Sequence, residues 1–449
     1  MSKLSLDVRL DGFDEPIGAL RRAARGALSF AYTSTHLALP NAAPLSLSMP
    51  LREKPFPDLV TRSFFENLLQ ERDGGLDQVL AREGLARDDV AGILYHLGKD
   101  CPGALSVLPE GAPPAKVPGD YKRDYRPYSN RELEAIAEAL FDRSALPENA
   151  SDPSPLAGVR SKLALTLLPD GRLAEPIPGS GAPTTHILKS PSKRMRNEMR
   201  FEAAALDLSR ALGFETAQAQ LVTIAGHDLL LITRFDRGAD DKGRVIRLHQ
   251  EDFAQALALS PALKYERYGT EERRFDVHAI ARVLRRTSNP AAARQVFVRS
   301  LLFDLMIGNV DGHAKNYALL HGEGGAVLTP RYDIAPTMLD TAVTDEFAFR
   351  IGQAESHRDL SAADLDAFAA VLGMRSPKAR IRFLNTQTHA LAVGLCGAFP
   401  ELDRQRMKRF SDLIANNVIG LCGALDIASP KIASTRDAFV PRGGGWRTS

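Results

Sequence analysis

The sequence predicts an α+β protein: a small N-terminal α+β domain followed by a two-lobed body whose C-terminal lobe is mostly helical. Three observations carry this. Apolar residues alternate near the N-terminus, a strand–strand–helix–hairpin order runs from Ser151 to Arg237, and helical patterning continues to about Ile427. At 449 residues the chain also exceeds one ordinary hydrophobic core.

In chain order, Leu4, Leu6, Val8 and Leu10 alternate with polar residues as a half-buried strand does. Pro44–Leu51 alternates again between prolines, and helices are expected over Leu59–Leu69 and Leu76–Leu97, completing a domain over 1–110. The prolines of Pro113–Pro127 read as a linker, and Ser129 with Glu132 forms a capping box before an amphipathic helix, so 111–150 connects the parts. A small lobe over 151–237 starts at Ala157-Gly158. It continues with a strand through Leu163, Leu165 and Leu167, a Pro169-Asp170-Gly171 turn, and a strand over Thr184–Lys189. A helix over Glu202–Leu212 stops at Gly213, and strands Gln220–Ile224 and Leu229–Thr233 flank Ala225–Asp228 as a hairpin. The large lobe covers 238–427, and 428–449, with Gly443-Gly444-Gly445, reads as a frayed tail.

Composition narrows the function classes. Hydrophobic residues make up 44% and charged residues 25%, ordinary values for a globular protein, and a net charge of +2 makes no global case for nucleic-acid binding. Cys101, Cys396 and Cys422 lie too far apart for a zinc motif or a disulfide framework. The N-terminus lacks the apolar run of a signal peptide, and no segment approaches the about 20 apolar residues of a membrane span. A cytoplasmic location without membrane contact is the simplest expectation.

The chemistry is concentrated in Gly308–Asn316 and Tyr332-Asp333. Asp311 and Asn316 are five residues apart, and Asp333 follows a short insert. Phosphoryl transfer to a hydroxyl needs a carboxylate at the attacking oxygen and oxygen ligands for magnesium on ATP. Asp311 suits the first role, Asn316 and Asp333 the second. The same residues could instead form only an Asp-Gly turn after a helix ending near Ile307. His313 has no second ligand at metal spacing and reads as a structural brace, while Lys315 either neutralises transferred phosphate or faces solvent. Upstream, Lys189 ends a strand and Glu202 follows thirteen residues later, either the pairing that fixes a lysine on the α- and β-phosphates or a surface lysine and a solvated helix glutamate. Gly158 lies where a phosphate loop belongs, though the segment could equally be an ordinary loop before a strand, and Lys162 is either a second phosphate contact or a surface lysine. The basic run Lys193, Arg194, Arg196 and Arg200 is either a solvated loop or a segment that meets an acidic or phosphorylated partner.

Taken together these residues resemble the HipA serine/threonine kinases, toxins of bacterial HipA–HipB toxin–antitoxin pairs. The likeness rests on Pro44–Leu51, Phe64–Leu69 and Leu97–Leu105 in the N-terminal domain. It continues with Thr185–Lys189, Arg234–Arg237, His249–Asp252, Asp311–Asn316 and Tyr332–Ile334. The resemblance implies a phosphatidylinositol-kinase-like two-lobed fold and use of ATP with Mg2+. Lys189 would contact the ATP phosphates, the backbone near Phe235 the adenine, and Gln250 would lie near the nucleotide. Asp311 would be the base, with Asn316 and Asp333 on magnesium. It further implies phosphorylation of a serine in a translation protein such as an aminoacyl-tRNA synthetase, with growth arrest and persistence. A HipB-like helix-turn-helix antitoxin would neutralise the chain and connect it to operator DNA. A catalytically idle corepressor and a small-molecule kinase are the alternatives.

One departure bears on regulation. The family's phosphate loop commonly reads S-x-A-G-x-Q-x-K, and phosphorylation of its serine ejects the loop and inactivates the kinase. Here Pro155 stands at the serine position and Arg160 at the glutamine, with Ser154 one residue early and Ser161 inside the loop. Proline fixes its own φ and biases Ser154 toward an extended backbone. Either Ser154 takes over as the autophosphorylation site or the switch is absent. Phosphosite mapping after incubation with magnesium ATP decides between them, since an active enzyme with unmodified Ser154 rejects the takeover.

Overall fold

The computed structural model describes residues 2–69, 80–142, 162–340 and 342–432. Two compact units result: Met1–Met199 with Gln218–Pro261 and Ala318–Glu323, and Arg200–Ala217 with Ala262–Tyr317 and Gly324–Ser449.

The first unit opens with an antiparallel sheet in the order Leu28–Tyr32, Gly18–Arg22, Leu4–Leu10, Leu105–Pro109. The period-two pattern of the first strand turns Leu6, Val8 and Leu10 into a core shared with Leu20, Phe30, Phe64, Phe65, Ile93 and Leu94. The first predicted helix is shorter than expected, Asp58–Glu66. The second, expected over Leu76–Leu97, lies partly outside the described residues. Its described part breaks at Gly84, whose φ of +62° no helix accommodates, and resumes as Val90–Leu97. Asp89 caps that restart by accepting the Gly92 N–H at 3.0 Å. Pro44–Leu51 forms no strand despite its alternation. It makes a turn with a single bridge between Ser46 and Met49, because its polar groups bond elsewhere in the unit.

Those groups meet Glu251, fully buried in the strand Gln250–Asp252. Its carboxylate accepts from the Ser46 hydroxyl, from the Leu47 N–H at 2.9 Å, and bonds His321 at 3.0 Å. Asn67 donates to the Leu259 carbonyl at 2.7 Å, and His249 bonds the Leu45 carbonyl at 2.8 Å. Gly103 donates to Asp236 at 2.7 Å, and Arg247 reaches Asp100 at 3.4 Å.

A six-stranded antiparallel sheet follows, ordered Tyr125–Pro127, Leu173–Pro176, Lys162–Leu167, His186–Lys189, His227–Thr233, Ala219–Ile224. The helix Asn130–Asp142 begins at the expected capping box, with the Ser129 N–H donating to Glu132 at 2.7 Å. It packs Ile136, Ala137 and Leu140 on Leu163, Leu165, Leu188, Leu229 and Leu231. The hairpin turn is Ala225-Gly226, two residues rather than the expected four, both in the left-handed region.

The second unit is built on the helix Pro290–Ile307, with Val277–Leu284, Ala362–Val371, Pro377–Gly397 and Lys408–Ala424. Phe275, Phe297, Tyr317, Phe349 and Phe368 form one aromatic cluster in it. Short strands also occur past Arg237, such as Glu346–Ile351 and Ala354–Ser356, so the helical stretch is less continuous than its sequence suggests. Among the described residues no helix is long and apolar enough to cross a membrane.

Glu251→Ala removes the acceptor of the Ser46, Leu47 and His321 hydrogen bonds in a fully buried place. It is expected to lower the unfolding free energy of this unit by about 3 kcal/mol, read as a drop in denaturant midpoint.

Candidate active site

The candidate catalytic loop starts where the helix Pro290–Ile307 ends. Asn289 caps that helix and Pro290 occupies its first turn, where a missing N–H costs nothing. Gly308 terminates it with φ +75°, and a Cβ there would lie 2.7 Å from the Leu413 side chain. Asp304, one turn back and 5% exposed, gathers the next segment. Its carbonyl accepts the Asn309 N–H at 2.9 Å, and its carboxylate accepts the Asn309 amide at 3.2 Å and Arg331 at 2.5 Å. Arg331 itself exchanges backbone bonds with Glu215 and Ala217, at 2.8 and 2.9 Å. One carboxylate thus fixes both the loop carrying Asp311 and the strand-like segment leading to Asp333.

Within the loop the Asp311 carbonyl accepts from the His313 N–H at 2.7 Å and from the Asn316 side-chain amide at 2.8 Å. The Ala314 N–H bonds the Lys264 carbonyl at 3.0 Å, and Tyr332 Oη donates to the Lys315 carbonyl at 2.7 Å. The predicted Asp-Gly turn is therefore real, and it also serves to bring Asp311 and Asn316 together. Asp333 is exposed and left-handed, with φ +53°, a conformation aspartate tolerates better than most residues. Its charge reaches both Asp311 and His313.

Sequence reasoning passed over Tyr265. Its hydroxyl donates to Asp311 Oδ1 at 2.5 Å, and among the described residues nothing donates to Oδ2. Its ring lies under the Arg267 guanidinium at 4.3 Å and meets His313 edge-on at 5.1 Å. Tyr265 lies 46 residues before Asp311, so no local spacing announced it.

Burial is the main force raising the proton affinity of Asp311, and the Tyr265 hydrogen bond opposes it. The Asp333 charge raises it further, while Lys264 and Arg267 pull it back. A carboxylate with raised proton affinity in such a place is a better base than an exposed one. Burial, then Lys264, push His313 down to about 3, so its ring stays neutral at physiological pH.

The remaining described candidates are in the first unit, apart from Glu202. Lys162 and Lys189 are direct cross-strand partners. By alternation both face away from the Leu163–Leu188–Leu229 core. Lys189 is 8% exposed. Phe235 occupies a turn between buried Arg234 and Asp236, and Gln250 pairs with Leu320 across the strand Ala318–Gly322. Glu202, 1% exposed, belongs to the second unit, in the helix Glu198–Ala211. Gly158, Ser154, Pro155, Arg160 and Ser161 lie outside the described residues.

The donors suit magnesium. Asn316 spends its amide nitrogen on the Asp311 carbonyl, and among the described residues its Oδ1 has no donor. An amide oxygen and one carboxylate match a cation that keeps waters and takes phosphate oxygens. The described residues hold no cluster of three or more His, Cys, Asp or Glu that would make a protein-only metal cage.

Two family models match: the HipA N-terminal domain over residues 6–108 and the HipA-like C-terminal domain over residues 154–393. The chain belongs to the HipA family. It is 32% identical over 404 residues to "Putative kinase Y4mE" of Sinorhizobium fredii, covering 89% of this chain and 94% of that one. It is 28% identical over 342 residues to the "Serine/threonine-protein kinase toxin HipA" of Shewanella oneidensis, covering 74% and 75%. The solved complex of Shewanella oneidensis HipA with HipB and operator DNA matches with TM-score 0.76 and 26% identity, covering 94% of this chain and 98% of that one. The expected α+β HipA-like kinase fold is borne out by these matches.

Proposed function

We propose that this chain is an ATP-dependent serine/threonine protein kinase and the toxin of a toxin–antitoxin pair. The observation that carries the reading is Asp311: largely buried, held through one oxygen, undonated at the other among the described residues, and beside Asn316 and Asp333. Bound magnesium ATP supplies the γ-phosphate and the charge neutralisation for its transfer. Asp311 Oδ2 orients the acceptor hydroxyl and takes its proton as the new oxygen–phosphorus bond forms and the bond from the γ-phosphorus to the bridging oxygen breaks, releasing ADP. Asn316 Oδ1 and the Asp333 carboxylate hold magnesium, and Lys162 and Lys189 bind phosphate oxygens. The backbone at Phe235 meets the adenine, Gln250 lies near the nucleotide, and Gly158 belongs to the phosphate loop. Glu202 supports the nucleotide-binding arrangement from its helix.

The protein substrate is proposed to be a translation protein such as an aminoacyl-tRNA synthetase, modified on serine in the cytoplasm. A HipB-like antitoxin would neutralise the chain and carry it to operator DNA. The complex of the Shewanella protein with HipB and operator DNA supports that extension.

The test is transfer of labelled γ-phosphate from magnesium ATP into a host lysate. A discrete protein band is expected, and loss of it in Asp311→Asn, by roughly a hundredfold or more, assigns the transfer to this site. Near wild-type transfer by Asp311→Asn refutes the base assignment. Binding of ATP without any transfer moves the reading to an idle corepressor, and labelling of metabolites alone to a small-molecule kinase. Asp333→Asn is expected to raise the magnesium concentration needed for half-maximal rate about tenfold. An unchanged magnesium dependence removes Asp333 from the metal site.

A further inference from the structure

We infer that Tyr265 is a positioning residue for the base, dedicating Asp311 Oδ1 to the protein and leaving Oδ2 to face the acceptor hydroxyl. This rests on the reading of Asp311 as the base. A free carboxylate rotates about its Cβ–Cγ bond and presents either oxygen, so only part of its population is aligned for proton transfer. The Tyr265 hydroxyl removes that freedom with a 2.5 Å bond to Oδ1. Such a bond to a charged acceptor is among the stronger kinds.

The tyrosine is itself held from three sides. Arg267 stacks over the ring at 4.3 Å, and Tyr268 and His313 meet it edge-on at 5.7 and 5.1 Å. Arg267 is in turn tied to the Phe347 carbonyl at 3.2 Å and lies 3.8 Å from Glu346. The neighbouring backbone is tied as well, since the Lys264 carbonyl accepts the Ala314 N–H at 3.0 Å in the loop that carries Asp311. Both ends of the Tyr265–Asp311 bond therefore ride on one braced piece of backbone. A hydroxyl present only to fill space would not need this arrangement, and the ring alone would serve as packing.

The bond acts on alignment rather than on nucleotide binding, which separates it from a structural role. Tyr265→Phe keeps the ring and its stacking, so the fold is retained. Its kcat is expected to fall roughly ten- to a hundredfold, with KM for ATP and magnesium activation within about twofold of wild type. Replacement of Tyr265 by 3-fluorotyrosine, which keeps the donor, is expected to restore kcat to within about threefold. Tyr95→Phe, at an exposed tyrosine on the helix Val90–Leu97 and in no contact with the site residues, serves as control and leaves kcat unchanged. Asp311→Asn is measured alongside. An inactive Asp311→Asn with an unimpaired Tyr265→Phe overturns the positioning role while leaving the base assignment intact. A parallel rise in KM for ATP, a lowered melting temperature, or failure of fluorotyrosine to restore kcat also overturns it, because each marks a packing role. An active Asp311→Asn overturns the base assignment and the positioning role together.

Discussion

Asp304 is the constraint on which the candidate site depends. It is a buried carboxylate near the end of a long apolar helix, and burial alone drives its proton affinity up. Arg331 and the Asn309 amide oppose that shift and keep the charge compensated. Removing one partner from a buried ion pair strands the other, at a cost of about 3–5 kcal/mol. The segments before Asp311 and before Asp333 are therefore committed to one arrangement, and the loop's geometry follows from an interaction outside the loop.

In the first unit the same physics joins the N-terminal sheet to the strands that bear Lys189 and Gln250. Asp100 and Asp236 are buried among Arg234, Arg237, Arg247 and Lys116. Burial would raise both carboxyls, but the surrounding guanidinium and ammonium charges win and hold them well below the usual carboxylate range. Desolvation acts the other way on Arg237, pushed down to about 10. Such networks fix geometry more dependably than they add stability. Here they place the motifs Leu97–Leu105 and Arg234–Arg237 against one another, which accounts for their charged character.

Much of this was legible in the sequence where the signal is local. The amphipathic helix Asn130–Asp142 announced itself through Ser129 and Glu132, and the Asp311–Asn316 spacing identified the loop because both residues belong to one turn. The strands Gly18–Arg22 and Leu28–Tyr32 were not singled out. The former carries consecutive arginines, and Arg22 is buried only because Asp89, 67 residues away, receives it. The alternation in Pro44–Leu51 imitated a strand, yet its groups answer to Glu251, more than 200 residues on. Tyr265 and Asp304 were missed for the same reason: their roles come from contacts that no spacing encodes.

The proposed site has Asn316 and Asp333 holding the metal beside a base at Asp311. The most direct measurement is a crystal structure with manganese and a non-hydrolysable ATP analogue, using manganese anomalous scattering to locate the ion. The expected result is a peak ligated by Asn316 Oδ1 and the Asp333 carboxylate, with phosphate oxygens completing its shell. A peak held by other side chains, or a bound nucleotide with no metal at these two residues, would contradict it.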